Sequence, residues 1–337
     1  MRLVVALLLF CSCLGTAQPS VSVRNGKIIH GVSFVGTSRP AVASDMSYLD
    51  SIGANFISLM PYAYTRKDEA HLNWNKIGWQ WWGETYDGVD SCISMASAHG
   101  VQSMIKPHVW LDHGTYTGTF ELHSEADWQS FENDYTEFIL AFAALSEKHA
   151  LEIFCIGTEF DKWVEVRPAF WKQLIREVRK VYSGKLTYAS NWDATDRLGF
   201  WEDLDLIGVD AYYPLCDKRT PDEESLRAGW KPFLEKLEKL SLAAAKPVLF
   251  TEWGYQCQDY CAREPWNYDV QEQKNEAAQA LCYRVLMEEC TKKTWYAGGF
   301  VWKWFPGDGS SSRHHSDYFS PQGKLAEKEL IKWFTKQ

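Results

Sequence analysis

The feature that most narrows the fold is a repeat of short apolar runs alternating with longer amphipathic segments. Eight runs read as strands, at 28–35, 54–60, 101–109, 151–156, 186–189, 206–211, 247–250 and 296–302. Most are continuously apolar, the pattern of strands covered on both faces. Helical spacing occupies 44–52, 87–99, 127–149, 169–182, 225–245, 270–290 and 323–334, and 197–204 leaves room for a short helix alone. Eight strand–helix repeats in 337 residues predict a single (β/α)8 barrel over residues 27–337, with no internal boundary. A doubly wound nucleotide-binding sheet is the competing arrangement. It would need Gly-x-Gly-x-x-Gly after the first strand or a Walker motif, and neither is present.

Two of the strands end in the same way. Leu151 to Ile156 runs into Gly157-Thr158-Glu159, and Pro247 to Phe250 runs into Thr251-Glu252-Trp253-Gly254-Tyr255. On a barrel, a side chain at the C-terminal end of a strand points into the catalytic mouth. One strand-end glutamate is more often a solvated or ion-paired residue. Two on different strands are the minimum for hydrolysing a glycosidic bond, one carboxyl protonating the leaving oxygen and the other attacking or activating water. The chain also carries 17 Trp, 16 Tyr and 17 Phe. These fit an aromatic core, and at strand ends they fit a groove whose flat rings stack on sugars. A net charge of −9 without a basic stripe excludes nucleic acid as a partner.

Further strand-end residues join this pair. Lys106-Pro107-His108-Val109-Trp110, Asn191-Trp192, Ile207-Gly208-Val209-Asp210-Ala211-Tyr212-Tyr213-Pro214 and Trp302-Lys303-Trp304 follow in order along the chain. Together with Ile156–Glu159 and Thr251–Tyr255, the set resembles glycoside hydrolase family 113, within the clan of retaining (β/α)8 glycosidases, over nearly the whole chain from Lys27 to Phe334. That resemblance implies a retaining endo-β-1,4-mannanase acting on mannan or glucomannan, with Glu159 as acid/base and Glu252 as nucleophile. It implies Tyr213, in preference to Tyr212, as the tyrosine donor to the nucleophile. Other β-glycans remain open as substrates, as does a catalytically inactive carbohydrate-binding barrel. The groove residues expected are His108, Trp110, Asn191, Trp192, Trp253 and Trp302, with Trp302 under the sugar at the cleavage point. Asp210 lies before its strand end and is expected to be structural. Many clan members carry Asn before the acid/base; here the position is Thr158, which leaves the contact to the sugar 2-hydroxyl unassigned. The aromatic connection 61–86 is expected to narrow one end of the groove.

No cofactor is required. A non-sugar hydrolase would need a metal cluster or a nucleophilic Ser or Cys at a strand end, yet Cys155 lies inside its strand and no Gly-x-Ser-x-Gly occurs. Cys257-x-x-x-Cys261 lacks a second ligand pair for zinc, and His314-His315 sits in a polar loop beside Asp317. Arg2, the apolar run Leu3 to Phe10 and Gly15-Thr16-Ala17 read as a signal peptide cleaved before Gln18, so the product is expected to be secreted or periplasmic. Phe10-Cys11-Ser12-Cys13 offers an alternative, a lipoprotein anchored through Cys13. No later segment is expected to cross a membrane, and the enzyme is expected to be a monomer. Of the seven remaining cysteines (Cys92, Cys155, Cys216, Cys257, Cys261, Cys282 and Cys290), a disulfide is expected among Cys216, Cys257 and Cys261.

Overall fold

The computed structural model describes residues 27–74, 78–112, 115–268, 271–307 and 317–335. The proposed leader, Cys13 and His314-His315 lie outside them. Among the described residues ten strands are formed: β1 (Ile29–Phe34), β2 (Phe56–Leu59), β3 (Tyr62–Tyr64), β4 (Gln102–Ile105), β5 (His108–Trp110), β6 (Ile153–Thr158), β7 (Lys185–Asn191), β8 (Ile207–Asp210), β9 (Val248–Trp253) and β10 (Tyr296–Trp304). Eight close a parallel barrel in the order β1-β10-β9-β8-β7-β6-β4-β2, the single (β/α)8 barrel predicted from the repeat. The α-helices among the described residues are α1 (Ala43–Ser51), α2 (Tyr86–Ala98), α3 (Glu125–Lys148), α4 (Asp161–Val166), α5 (Pro168–Val181), α6 (Glu223–Ala244), α7 (Glu276–Cys290) and α8 (Leu325–Phe334).

Local chemistry sets the element ends. Side chains of Thr85, Ser124, Asp222 and Asn275 cap α2, α3, α6 and α7 by accepting backbone N–H bonds, and Pro168 occupies the first turn of α5. The cap at Asn275 starts α7 six residues later than its apolar periodicity suggests. The run 101–109 is two strands. Pro61 and Pro107 lack amide donors and interrupt the ladder just above β2 and β4. Pairing resumes beyond them as a separate two-stranded parallel sheet, with Tyr62, Ala63 and Tyr64 opposite His108, Val109 and Trp110. This small sheet raises one side of the barrel mouth.

The barrel interior below the mouth is filled by Ile29, Phe56, Met104, Ile153, Leu206, Leu249, Ala297 and Phe300. Gly31 is required there, since a Cβ at that position would come within 2.4 Å of the Phe300 ring. The layer between barrel and helices takes much of the aromatic content: Trp163, Trp171, Trp230, Trp253, Trp295 and Trp304 are fully buried. Of the two uses expected of the aromatic residues, the core accounts for many of them. No helix among the described residues is long and apolar enough to cross a membrane.

Candidate active site

The barrel mouth opens into a cavity of about 670 Å³ whose lining includes Glu159, Glu252, Tyr212, His108, Asn191 and Trp302. The two strand-end glutamates thus face one space. Glu159 follows β6 in a left-handed backbone conformation, φ 57°, which disfavours any residue with a Cβ by about 1–2 kcal/mol. Bonds on either side hold it there. Its amide donates to the Ala189 carbonyl at 2.9 Å, and the Phe160 amide donates to the Tyr188 hydroxyl at 2.8 Å. Strain maintained by surrounding bonds is a mark of functional positions.

Glu252 is embedded in donors. Lys106 Nζ lies 2.5 Å from its Oε1, and the Tyr212 hydroxyl donates to Oε2 at 2.7 Å. Lys106 is wholly buried and also donates to Asp210 Oδ2 at 3.2 Å and to His108 Nε2 at 3.2 Å. Burial alone would lower the Lys106 ammonium; the carboxylates of Asp210 and Glu252 overcome it and hold the ammonium well above its ordinary range. Burial, assisted by the Lys106 charge, drives His108 well below the usual histidine value, so its imidazole is neutral and accepts from Lys106. Burial also pushes Asp210 up to about 7 against the pull of Lys106, and Thr251 donates to its Oδ1 at 2.7 Å.

Glu159 lies in the opposite setting. Burial first, then the negative charges of Asp210 and Glu252, raise its carboxyl well above the ordinary value. No described side chain donates a hydrogen bond to that carboxyl. Beside it, Asn191 donates to the Tyr116 hydroxyl and, at 3.2 Å, to Asp161 Oδ2, while Tyr116 donates to the same oxygen at 2.9 Å.

Several expected residues meet in the cavity: His108, Trp110, Asn191, Trp192 and Trp302 all line it. Trp302 lies nearly parallel to the His108 ring at 6.4 Å and donates from Nε1 to the Tyr268 hydroxyl at 2.8 Å. Trp192 stacks on Trp266 at 5.3 Å. Two expectations need correction. The tyrosine bonded to Glu252 is Tyr212; Tyr213 points outward and packs on Trp230 and Phe233. Trp253 is likewise outside the groove, buried against Tyr283 of α7 at 4.9 Å. Successive strand residues face opposite sides, so an inward Glu252 dictates an outward Trp253. Thr158 is buried, its hydroxyl donating to the Pro107 carbonyl at 3.2 Å. Sequence reasoning passed over Tyr62, Tyr116, Trp266 and Tyr268 as lining residues, and Lys106 as the cation beneath the site. Lys106 was visible only as a neighbour of His108, because nothing local reveals a partner 146 residues away.

The expected disulfide is not formed. All seven described cysteines are free thiols, and Cys261 instead lies 3.7 Å, sulfur to sulfur, from Cys282 on α7. Among the described residues no cluster of His, Cys, Asp and Glu is arranged to hold a metal ion.

The sequence model of Glycoside Hydrolase Family 113 matches residues 36–324. The chain belongs to glycoside hydrolase family 113. It is accordingly a glycoside hydrolase, and its substrate is a carbohydrate. Solved structures of family 113 β-1,4-mannanases share the fold. One, in complex form, has a TM-score of 0.78 at 23% identity, with 92% of this chain and 100% of that chain covered. The β-mannanase from Alicyclobacillus acidocaldarius has a TM-score of 0.77 at 22% identity, covering 91% of this chain and 97% of that one. A Faecalibacterium prausnitzii β-glucuronidase has a TM-score of 0.59 at 13% identity, this chain matching 49% of it. No curated protein sequence matches the chain at a significant level.

Proposed function

We propose that this family 113 hydrolase is a retaining endo-β-1,4-mannanase that cleaves mannan or glucomannan by double displacement. The observation that carries the mechanism is the contrast between two carboxyls in one cavity. Glu252, bonded to Lys106 and Tyr212, suits a nucleophile that must stay ionised. Glu159, raised by burial and by neighbouring negative charge, suits an acid that must hold a proton. In the first step Glu252 attacks the anomeric carbon, and Glu159 passes its proton to the departing glycosidic oxygen. The bond to the leaving sugar breaks, and a glycosyl ester of Glu252 forms. Esterification removes one of the negative charges that raise Glu159, so its pKa falls and it becomes able to take a proton from water. That water attacks the anomeric carbon, releasing Glu252 and the sugar with its configuration retained.

Trp302 offers the flat face under the reacting sugar, and Asn191, Trp192 and Trp110 edge the cleft. The mannan specificity is supported by the structural neighbours, which are β-mannanases. We further propose that the enzyme works as a monomer without cofactor and is exported, with the leader removed before Gln18 or the chain anchored through Cys13. Release of reducing sugars from mannan, glucomannan, xylan, cellulose and galactan, with the anomer of the first product read by NMR, tests this proposal. A β-product from mannan or glucomannan is expected. An α-product, or cleavage confined to another glycan, would overturn mechanism or specificity respectively.

A further inference from the structure

The cleft does not end at the catalytic cavity. A second hollow of about 590 Å³ adjoins it, and Tyr62, Trp110, Tyr268 and Trp302 line both. Its far part is formed by Val35, Tyr64, Trp79, Trp81, Glu84 and Lys303. Tryptophan is among the residues proteins bury most heavily, yet Trp79 is 64% and Trp81 46% exposed. These rings belong to a fixed surface. The Tyr64 hydroxyl donates to Glu84, and Gln80 Nε2 donates to the Tyr62 and Glu84 carbonyls at 2.9 and 3.1 Å. Gly83 donates to the Thr37 carbonyl at 3.0 Å, and a Cβ at Gly83 would meet Gly36 at 2.7 Å. The described part of the 61–86 connection, expected to narrow one end of the groove, is tied down as a wall beside it.

From this geometry we infer that Trp79 and Trp81 form a distal binding trough for the glycone end of a long β-1,4-linked hexose chain, several sugars beyond the point of cleavage. The occupant follows from continuity, because a chain lying on Trp302 passes from one hollow into the other without leaving the protein. The polarity follows from the proposed roles. The acid Glu159 protonates the leaving group, so the aglycone departs on the side of Glu159, Tyr116 and Asn191. Glu159 is absent from the lining of the trough, which lies beyond Trp302, near the ends of β1 and β2. Exposed indole faces stack on the apolar faces of sugars, and their rigid mounting lowers the entropy lost on binding. This inference rests on the proposed catalytic roles for its direction.

The test compares wild type with a Trp79→Ala/Trp81→Ala double variant on two substrates. One is an activated aryl β-mannoside, which fills the central cavity alone; the other is mannohexaose labelled at its reducing end. The expected result is a fall of about tenfold or more in kcat/KM for the hexaose, with the aryl mannoside within about twofold. The cleavage position should also move toward products with fewer sugars on the glycone side. A Trp79→Tyr/Trp81→Tyr variant should recover most of the hexaose activity, which a general folding defect would not allow. Unchanged hexaose kinetics, or equal losses on both substrates, would overturn the trough. If wild type hydrolyses neither substrate, the proposed function fails. Calorimetric binding of intact mannohexaose then decides the trough: weaker binding to the alanine variant supports it, and equal binding removes it.

Discussion

Glu159 and Glu252 are the same side chain at the ends of two barrel strands, facing one cavity, and they differ in what surrounds them. Glu252 has a buried ammonium and a phenol as donors. Glu159 has no described donor and three carboxylates, Asp210, Glu252 and Asp161, that raise it after burial has done so. The difference teaches that the setting of each carboxyl is made one layer back. Lys106 on the β2–β4 side and Asp210 on β8 contact each other beneath the pair, and together they place positive charge under one glutamate and negative charge near the other.

Removing Glu252 should break this contrast most completely. Glu252→Ala is expected to lower mannan hydrolysis by about 10⁵-fold, measured as initial rates against wild type; a loss below tenfold would deny it the nucleophilic role. Lys106→Met comes next. It strands Asp210 and Glu252 without their shared cation, so unfolding in urea should show a loss of about 3–5 kcal/mol. A variant as stable as wild type would mean that the buried ion cluster is not held as described.

Tyr212→Phe sharpens the comparison further. Loss of one donor to Glu252 should lower kcat by about 10²-fold, whereas Tyr213→Phe should change kcat by less than about twofold. The reverse ordering would restore the tyrosine that the family resemblance favours. The smallest effect concerns pH. The proposed acid must be protonated, so kcat/KM should fall as pH rises through the elevated Glu159 value. Asp161 is among the charges that raise it, so Asp161→Asn should move this basic limb to lower pH. A shift to higher pH would contradict the electrostatic assignment.

The barrel was legible because strands buried on both faces are continuously apolar, and the glutamates were legible because a carboxylate abruptly ends such a run. Which strand-end side chains face inward follows from one-residue alternation. With Asp210 inward on β8, Tyr212 also faces inward and Tyr213 outward; with Glu252 inward, Trp253 faces α7. Other features were outside local reach. The splitting of 101–109 needed Pro61 and Pro107 to lie side by side, which takes the β2–β4 register to see. The approach of Cys261 to Cys282, in place of a contact among strand-end cysteines, follows from the packing of α7. Exposure of Trp79 and Trp81 reflects bonds from Gln80 and Gly83 to chain segments well removed in sequence.

Azide rescue tests most directly the proposal that Glu252 is the nucleophile and Glu159 the acid/base. With an activated aryl β-mannoside, azide should fill the space vacated in Glu252→Ala and yield the α-mannosyl azide. In Glu159→Ala the glycosyl ester still forms, and azide should attack it to give the β-azide. NMR of the two products distinguishes them. An α-azide from Glu252→Ala beside a β-azide from Glu159→Ala is the predicted result; the opposite pairing would reverse the roles and contradict the account.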